Sequence, residues 1–209
     1  MITQKKIVVV DYGMGNLWSV VSALDFLGAD SIISSNPAEI TKADAVLLPG
    51  VGSFRLAMQT LANKNLDEAI KEAVQIKQRK ILGICLGFQM LAESSTEDGM
   101  TAGLGFIPTS VESFSVQELE GRKLPHIGFN RVRLPNTSSL FDGFNAVEDF
   151  YFVHSYRLLA QDFPGKKAVC YYGTDFLAAY EHENVFGAQF HPEKSQTNGL
   201  RLLANFLSA

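Results

Sequence analysis

Cysteine is nearly missing from this chain of 209 residues: there are two, Cys85 and Cys170, far apart in sequence. That excludes a fold stapled by disulfides and suits free thiols in a reducing compartment, by default the cytoplasm. A basic excess is missing too. Lys and Arg number 18 against 22 Asp and Glu, a net charge of −4, which excludes a general nucleic-acid binder. Long hydrophobic runs are lacking. The apolar stretch Ile81–Ala92 falls well short of the roughly 18 residues that a membrane span needs. The start, MITQKKIVVVDYG, has two lysines and a short apolar run, and reads as a first buried strand rather than a signal peptide. The four histidines show no metal-ligand spacing with the cysteines, so neither metal nor cofactor is expected. GMGNLW follows a dinucleotide-binding fingerprint only as far as Trp18, where the third glycine would stand.

What is present is a core. Hydrophobic residues make up 46% of the chain and charged ones 19%, and no repeat, linker or low-complexity tract divides residues 1–209. One domain is expected. In the first half, strands at Lys6–Val10, Ser31–Ser34, Ala45–Leu48 and Lys80–Ile84 alternate with helices over Asn16–Leu27, Ser53–Lys77 and Leu86–Glu93. Such alternation with apolar strands predicts a parallel sheet covered on both faces. The second half reads as strands: SVESFSV, YFVHSYRLL, AVCYY, FLAAYE and VFGAQF. Hairpin signals stand at Gly173-Thr174-Asp175 and Glu183-Asn184, and a helix over Gln196–Leu207 closes the chain. The expected fold is a three-layer α/β open sheet, mostly parallel, with antiparallel strands in the C-terminal half.

The chemistry centres on Gly83-Ile84-Cys85-Leu86-Gly87. Cys85 ends a strand and opens a helix, the place where open α/β sheets bind ligands. A strand–nucleophile–helix turn crowds the backbone two residues to either side, and glycine relieves it. Helix-start N–H groups favour a thiolate. The Leu86 N–H is a natural oxyanion donor, a contact typically worth about 10²–10³ in rate. Gln89 lies on the same helix face as Cys85, within reach of a substrate. The plainer reading is a small buried cysteine in a core turn.

A thiol acting on an amide needs a base. In VFGAQFHPEKS, His191 follows an apolar strand and Pro192 biases it toward extended backbone. Residues two apart then share a face, so Glu193 can orient the imidazole. Taken alone, His191 is a residue capping a turn; beside the cysteine elbow it becomes a general acid–base. His182 reads as solvated, His126 and His154 as structural, and Cys170 as strand core. LLPGVGSF ends a buried strand and opens a helix at Ser53, so Gly50 and Gly52 free its backbone N–H groups to line a site.

DYGMGNLWSV, LLPGVGSF, GICLGFQML, LPHIGFN, YFVHSYR and QFHPEKS occur in that order across nearly the whole chain. With them the sequence resembles the class I (triad) glutamine amidotransferases, and within them the branch of glutaminase subunits of imidazole glycerol phosphate synthase. The Cys-x-Gly and His-Pro-Glu pieces are shared by the class; PGVG, PHIGFN and VHSY are more particular. The resemblance implies hydrolysis of L-glutamine through a thioester on Cys85, with His191 as acid–base and Glu193 as its holder. It implies an oxyanion hole from Leu86 and the Val51-Gly52 strand, and a substrate held by Gln89 and the backbone of Ser155 and Tyr156. Phe129, Tyr151 and Lys194 match positions facing a (β/α)8 synthase partner, which forms a heterodimer and receives ammonia for histidine biosynthesis. Phe129 departs from the family's usual Trp, which keeps open a paralogue serving another synthase, such as a surface-sugar amidating system.

Two further readings stand beside this one. A cysteine hydrolase of the protease/deglycase type usually has His directly after the cysteine, where this chain has Leu86. A scaffold with a decayed site is opposed by the intact Cys85, His191 and Glu193. Because one domain accounts for all 209 residues, the acceptor chemistry is expected on another chain.

Overall fold

The computed structural model describes residues 6–209. The apolar runs form β1 (Ile7–Val10), β2 (Ser31–Ser34), β3 (Ala45–Gly50) and β4 (Lys80–Cys85). Between them lie α1 (Leu17–Phe26), α2 (Pro37–Ile40), α3 (Phe54–Asn63) and α4 (Leu66–Lys71). Then follow α5 (Leu86–Met90), β5 (Ala92–Ser95), β6 (Thr101–Ala102), β7 (Ile107–Ser113) and α6 (Val116–Leu119). The second half adds β8 (His126–Arg133), β9 (Val147–His154), β10 (Tyr156–Leu159), β11 (Lys166–Tyr171), β12 (Asp175–His182), β13 (Val185–Ala188) and α7 (Gln196–Ser208).

The sheet runs β2-β1-β3-β4-β13-β12-β10-β7-β5-β6, with β11, β8 and β9 branching from β12. Its parallel pairings join β2, β1, β3, β4 and β13, with β5–β7 as a separate parallel pair. The remaining pairings are antiparallel; as expected they lie in the later half, save the short β5–β6 pair at Ser94–Ala102. Period-2 alternation divides the core. Ile7, Val9, Leu47 and Ile84 face α1 and α7, while Val8, Val10, Val46 and Leu48 face the side of α2, α3 and α4. Both faces are buried, so the sheet sits as the middle of three layers.

Four local readings change. The expected helix Ser53–Lys77 is two helices, because Asn65 stands at φ 55°, a left-handed position that Asn tolerates and a helix does not. Beyond α4 the chain widens into a π turn over Glu72–Ile76. The helix expected to reach Glu93 stops at Met90, since Ala92–Ser95 is drawn into pairing with β7. SVESFSV leaves the sheet after Ser113, where Ser115 and Glu118 form a capping box that starts α6. Three elements were unmarked in the sequence: α2, capped by the Asn36 side chain with Pro37 in its first turn, the two-residue β6, and β8.

The turn from β4 into α5 is set by backbone contact. A Cβ on Gly87 would stand 1.6 Å from the Leu48 carbonyl oxygen, and one on Gly83 would stand 2.7 Å from Phe88 Cα. Neither position has room for a side chain. Gly87→Ala is therefore expected to push α5 off β3 and destabilise the chain by at least about 1–3 kcal/mol, the usual cost of overpacking. Thermal denaturation reads this, and an unchanged melting midpoint would contradict the contact.

Candidate active site

Cys85 sits at φ 54° and ψ −110°, a conformation that is costly for a residue with a side chain and common at functional turns. It lines a cavity of about 340 Å³. Leu86, the first residue of α5, lines the same cavity, and its N–H belongs to the first turn, where donors lack intrahelical acceptors. Opposite stand Val51 and Gly52, just beyond the end of β3. Gly52 has φ 103°. The helix that follows is fixed by Ser53, whose hydroxyl caps α3 and donates to Asp98, and by Glu97, which accepts from the Phe54 N–H at 2.8 Å.

His191 lines the cavity and is buried. Its N–H donates to the Tyr151 carbonyl at 2.9 Å. Its carbonyl accepts from the Ser195 hydroxyl at 2.7 Å, and that hydroxyl in turn accepts from the Tyr151 N–H at 2.9 Å. The imidazole Nδ1 meets Glu193 Oε1 at 2.7 Å, both side chains being buried. The pairing is the one expected, but its geometry is different. Pro192–Lys194 form a 3₁₀ turn, so Glu193 folds back onto the imidazole rather than lying beside it on extended chain. Burial by itself pushes the imidazole pKa down; the Cys85 sulfur and the Glu193 carboxylate outweigh it and raise the pKa to about 10. The other ring nitrogen, Nε2, is buried and has no hydrogen-bond partner among the described residues.

The sulfur of Cys85 is held by two weaker contacts. The Gln189 amide donates to it at 3.8 Å, and the thiol donates to the Val153 carbonyl at 3.8 Å. Gln89 lines the cavity as expected, but both its N–H groups are engaged: by the Tyr156 carbonyl at 2.7 Å and by Gln189 Oε1 at 3.0 Å. Only its oxygen is left for a ligand. Because a carbonyl can only accept, the Tyr156 oxygen fixes the direction of this chain: Gln89 donates to it and to Gln189, which donates to the sulfur.

Ser155 and Tyr156 line the cavity. Behind them lies a second ordered chain. His154 Nδ1 donates to the Tyr156 carbonyl at 2.8 Å, so its Nε2 accepts from His126 Nδ1 at 3.0 Å. Asn130 then donates to His126 Nε2 at 3.3 Å. Burial holds His154 down at about 3 and His126 at about 4, so both rings are neutral and structural, as expected. Cys170 is buried in β11, and burial pushes its thiol up to about 12, which leaves it unreactive. No cluster suited to a metal occurs among the described residues.

Phe129 and Tyr151 are register partners on β8 and β9, with ring centroids 5.5 Å apart, and Phe129 is half exposed. Lys194 is exposed and lines the cavity. Three residues escape the sequence reading. Glu97 lines the cavity with a carboxylate whose pKa burial raises. Gln189 is fully buried behind the sulfur, and its place in AQFHPE, two before His191, is the only signal it gives. Ser195 clamps the His191 backbone.

The sequence profile of the family glutamine amidotransferase class-I matches residues 8–209. The chain belongs to that family. It is 44% identical over 205 residues to imidazole glycerol phosphate synthase subunit HisH 1 of Parasynechococcus marenigrum, covering 97% of each chain. It is 45% identical over 201 residues to the HisH 1 subunit of Campylobacter jejuni, covering 96% of this chain and 98% of the relative. Among solved structures, PurLQS from Thermotoga maritima superposes with a TM-score of 0.71 at 17% identity, covering 99% of both chains. A glutamine amidotransferase from the same organism superposes at 0.64 and 16% identity, covering 98% of this chain and 83% of the other. At those identities the two structures speak for the fold, which is that of the family. The enzyme is thus a glutamine amidotransferase, and no helix among the described residues is long and apolar enough to cross a membrane.

Glu193→Gln removes the negative neighbour that helps raise the His191 pKa, while burial stays and pushes the same way. The imidazole pKa is expected to fall, as followed by NMR titration of the ring. Glutamine turnover in Glu193→Gln should fall less than in His191→Ala, which should lose at least about 10²-fold. The reverse order would show that the roles are misassigned.

Proposed function

We propose that residues 1–209 act as one glutaminase domain, the ammonia-supplying subunit of an imidazole glycerol phosphate synthase. The observation that carries this reading is the buried His191–Glu193 pair beside an elbow thiol in a cavity with room for glutamine. Full-length relatedness to two synthase subunits supports it. The Cys85 thiol gives up its proton to Nε2 of His191, and its sulfur attacks the side-chain amide carbon of L-glutamine. The carbonyl oxygen takes the negative charge between the Leu86 N–H and an N–H of Val51 or Gly52. His191 gives its Nε2 proton to the departing nitrogen, so ammonia leaves and a thioester remains. The neutral imidazole then removes a proton from water, which displaces the sulfur and releases glutamate. Glu193 holds the ring throughout. The backbone of Ser155 and Tyr156, with the Gln89 oxygen, holds the substrate, and the Glu97 carboxylate suits its α-ammonium group.

Ammonia then passes to a (β/α)8 synthase partner in a heterodimer, docked over Phe129, Tyr151 and Lys194. Two buried free thiols suit the reducing cytoplasm. A second reading, a paralogue that feeds a sugar-amidating synthase, draws on Phe129 and on the numbering of relatives as HisH 1 and HisH 2.

Cys85→Ala is expected to abolish glutamine-dependent product formation by the complex, while synthesis from ammonium salts persists. Retained glutamine use would sink the assignment. Glutamate release should be slow for the isolated chain, faster with the synthase and fastest with its acceptor bound, because an absent second oxyanion donor holds the rate down by about 10²–10³. Equal turnover in all three would reject the switch. Activation by a sugar-modifying partner in place of the imidazole-forming one would select the second reading.

A further inference from the structure

Tyr12 follows β1 and is 1% exposed. Its ring packs in the cluster that holds Val10, Leu48 and Leu86. Its hydroxyl has no hydrogen-bond partner among the described residues, which is rare for a buried hydroxyl. Where that oxygen lies is informative. A Cβ on Gly50 would stand 2.2 Å from Tyr12 Oη, 3.1 Å from Leu86 Cβ and 3.3 Å from the Gly87 nitrogen. The hydroxyl therefore rests against the Cα of Gly50, the register partner of Cys85. Burial and the nearness of Cys85 both raise the phenol pKa, so it stays a neutral donor.

We propose that Tyr12 is a positioning residue whose hydroxyl receives the Gly50 carbonyl when the Gly50–Val51 peptide turns its N–H toward the cavity. The proposal rests on the reading of the Val51 N–H as an oxyanion donor. In a trans peptide the N–H and C=O point in opposite directions. Val51 and Gly52 line the cavity, whereas Tyr12 lies on the core side of the strand. Turning the N–H toward substrate thus sends the carbonyl inward, where an unpaired acceptor is costly. Tyr12 carries an unspent donor on that side among the described residues. A contact made only with the oxyanion donor in place speeds the reaction without tightening substrate binding.

Tyr12→Phe, which removes only the hydroxyl, tests this in the complex with the synthase partner. The kcat with glutamine should fall about 10-fold to 100-fold, the effect of leaving one buried carbonyl unpaired. KM for glutamine should stay within about twofold, since the contact is absent from the substrate-bound ground state. Turnover with ammonium chloride should not change, and the melting midpoint should hold or rise, because the resting state loses only an unpaired hydroxyl. A merely structural hydroxyl would lower the midpoint. Val51→Pro deletes the N–H, and adding Tyr12→Phe to it should cost nothing more. Additive losses would overturn the proposal, as would a lowered midpoint with kcat intact. Wild-type glutamine turnover in Tyr12→Phe beside a dead Cys85→Ala would overturn the Tyr12 role alone. Glutamine use by Cys85→Ala would instead bring down the site reading beneath it.

Discussion

The closeness of α5 to β3 governs the nucleophile's side of the site. With no side chain at Gly87, backbone lies directly on the Leu48 carbonyl, and the chain has no alternative but to leave β4 abruptly. Cys85 absorbs that turn at φ 54°. A strained residue persists only where its surroundings over-determine it. Here the surroundings are two parallel strands, a glycine on each side and the fully buried Phe88 anchoring α5. The same closeness brings Gln89 within reach of both Tyr156 and Gln189. Thiol and helix-start N–H are therefore one rigid unit, whereas Val51 and Gly52 on the facing wall lie beyond the end of β3.

The base is held differently, and the difference bears on control. His191 follows β13, the parallel neighbour of β4, and is also fastened through backbone and hydroxyl contacts to Tyr151 and Ser195, so its position depends on β9 as well as on β4. Tyr151 carries on its side chain the contact with half-exposed Phe129. A protein docking on that face would press on β9, the strand to which the His191 backbone is hydrogen-bonded. That is physical adjacency; coupling between the two requires that docking favour one of two arrangements.

The strands of the first half were legible because IVVV, AVLL and ILGI are apolar at every position, as parallel strands buried on both faces must be. The break inside Ser53–Lys77 was hidden, since helical periodicity continues across Asn65 and only its backbone sign ends the helix. β8 was hidden for the opposite reason: alternating exposure along His126–Arg133 leaves too few apolar residues to mark a strand. Cys85, His191 and Glu193 were legible from local spacing, although Glu193 arrives by a turn and not by strand alternation. Glu97 and Tyr12 had no such signal, and Gln189 had only its place two before His191. Their meaning comes from what the fold places opposite them, and no spacing along the chain encodes that.

Tyr12, His191 and Glu193 each carry a buried polar atom without a partner among the described residues. A folded protein seldom leaves such atoms unpaired, because each forfeits hydration for nothing. Around Cys85 the omissions have a pattern. Nε2 of His191 is unpaired while the thiol donates instead to the Val153 carbonyl, so base and nucleophile are adjacent but not joined. Tyr12 Oη is unpaired beneath the strand whose N–H would stabilise the oxyanion. On the mechanism proposed above, two of these atoms would gain a partner only once the amide is bound and charge is developing: Nε2 at the departing nitrogen, Oη at the carbonyl turned inward. Interactions reserved for that state lower the barrier, whereas those satisfied beforehand only tighten binding. On that proposal the resting site carries its cost in the ground state, and a partner that turned the Gly50–Val51 peptide would need to supply little else to start the reaction.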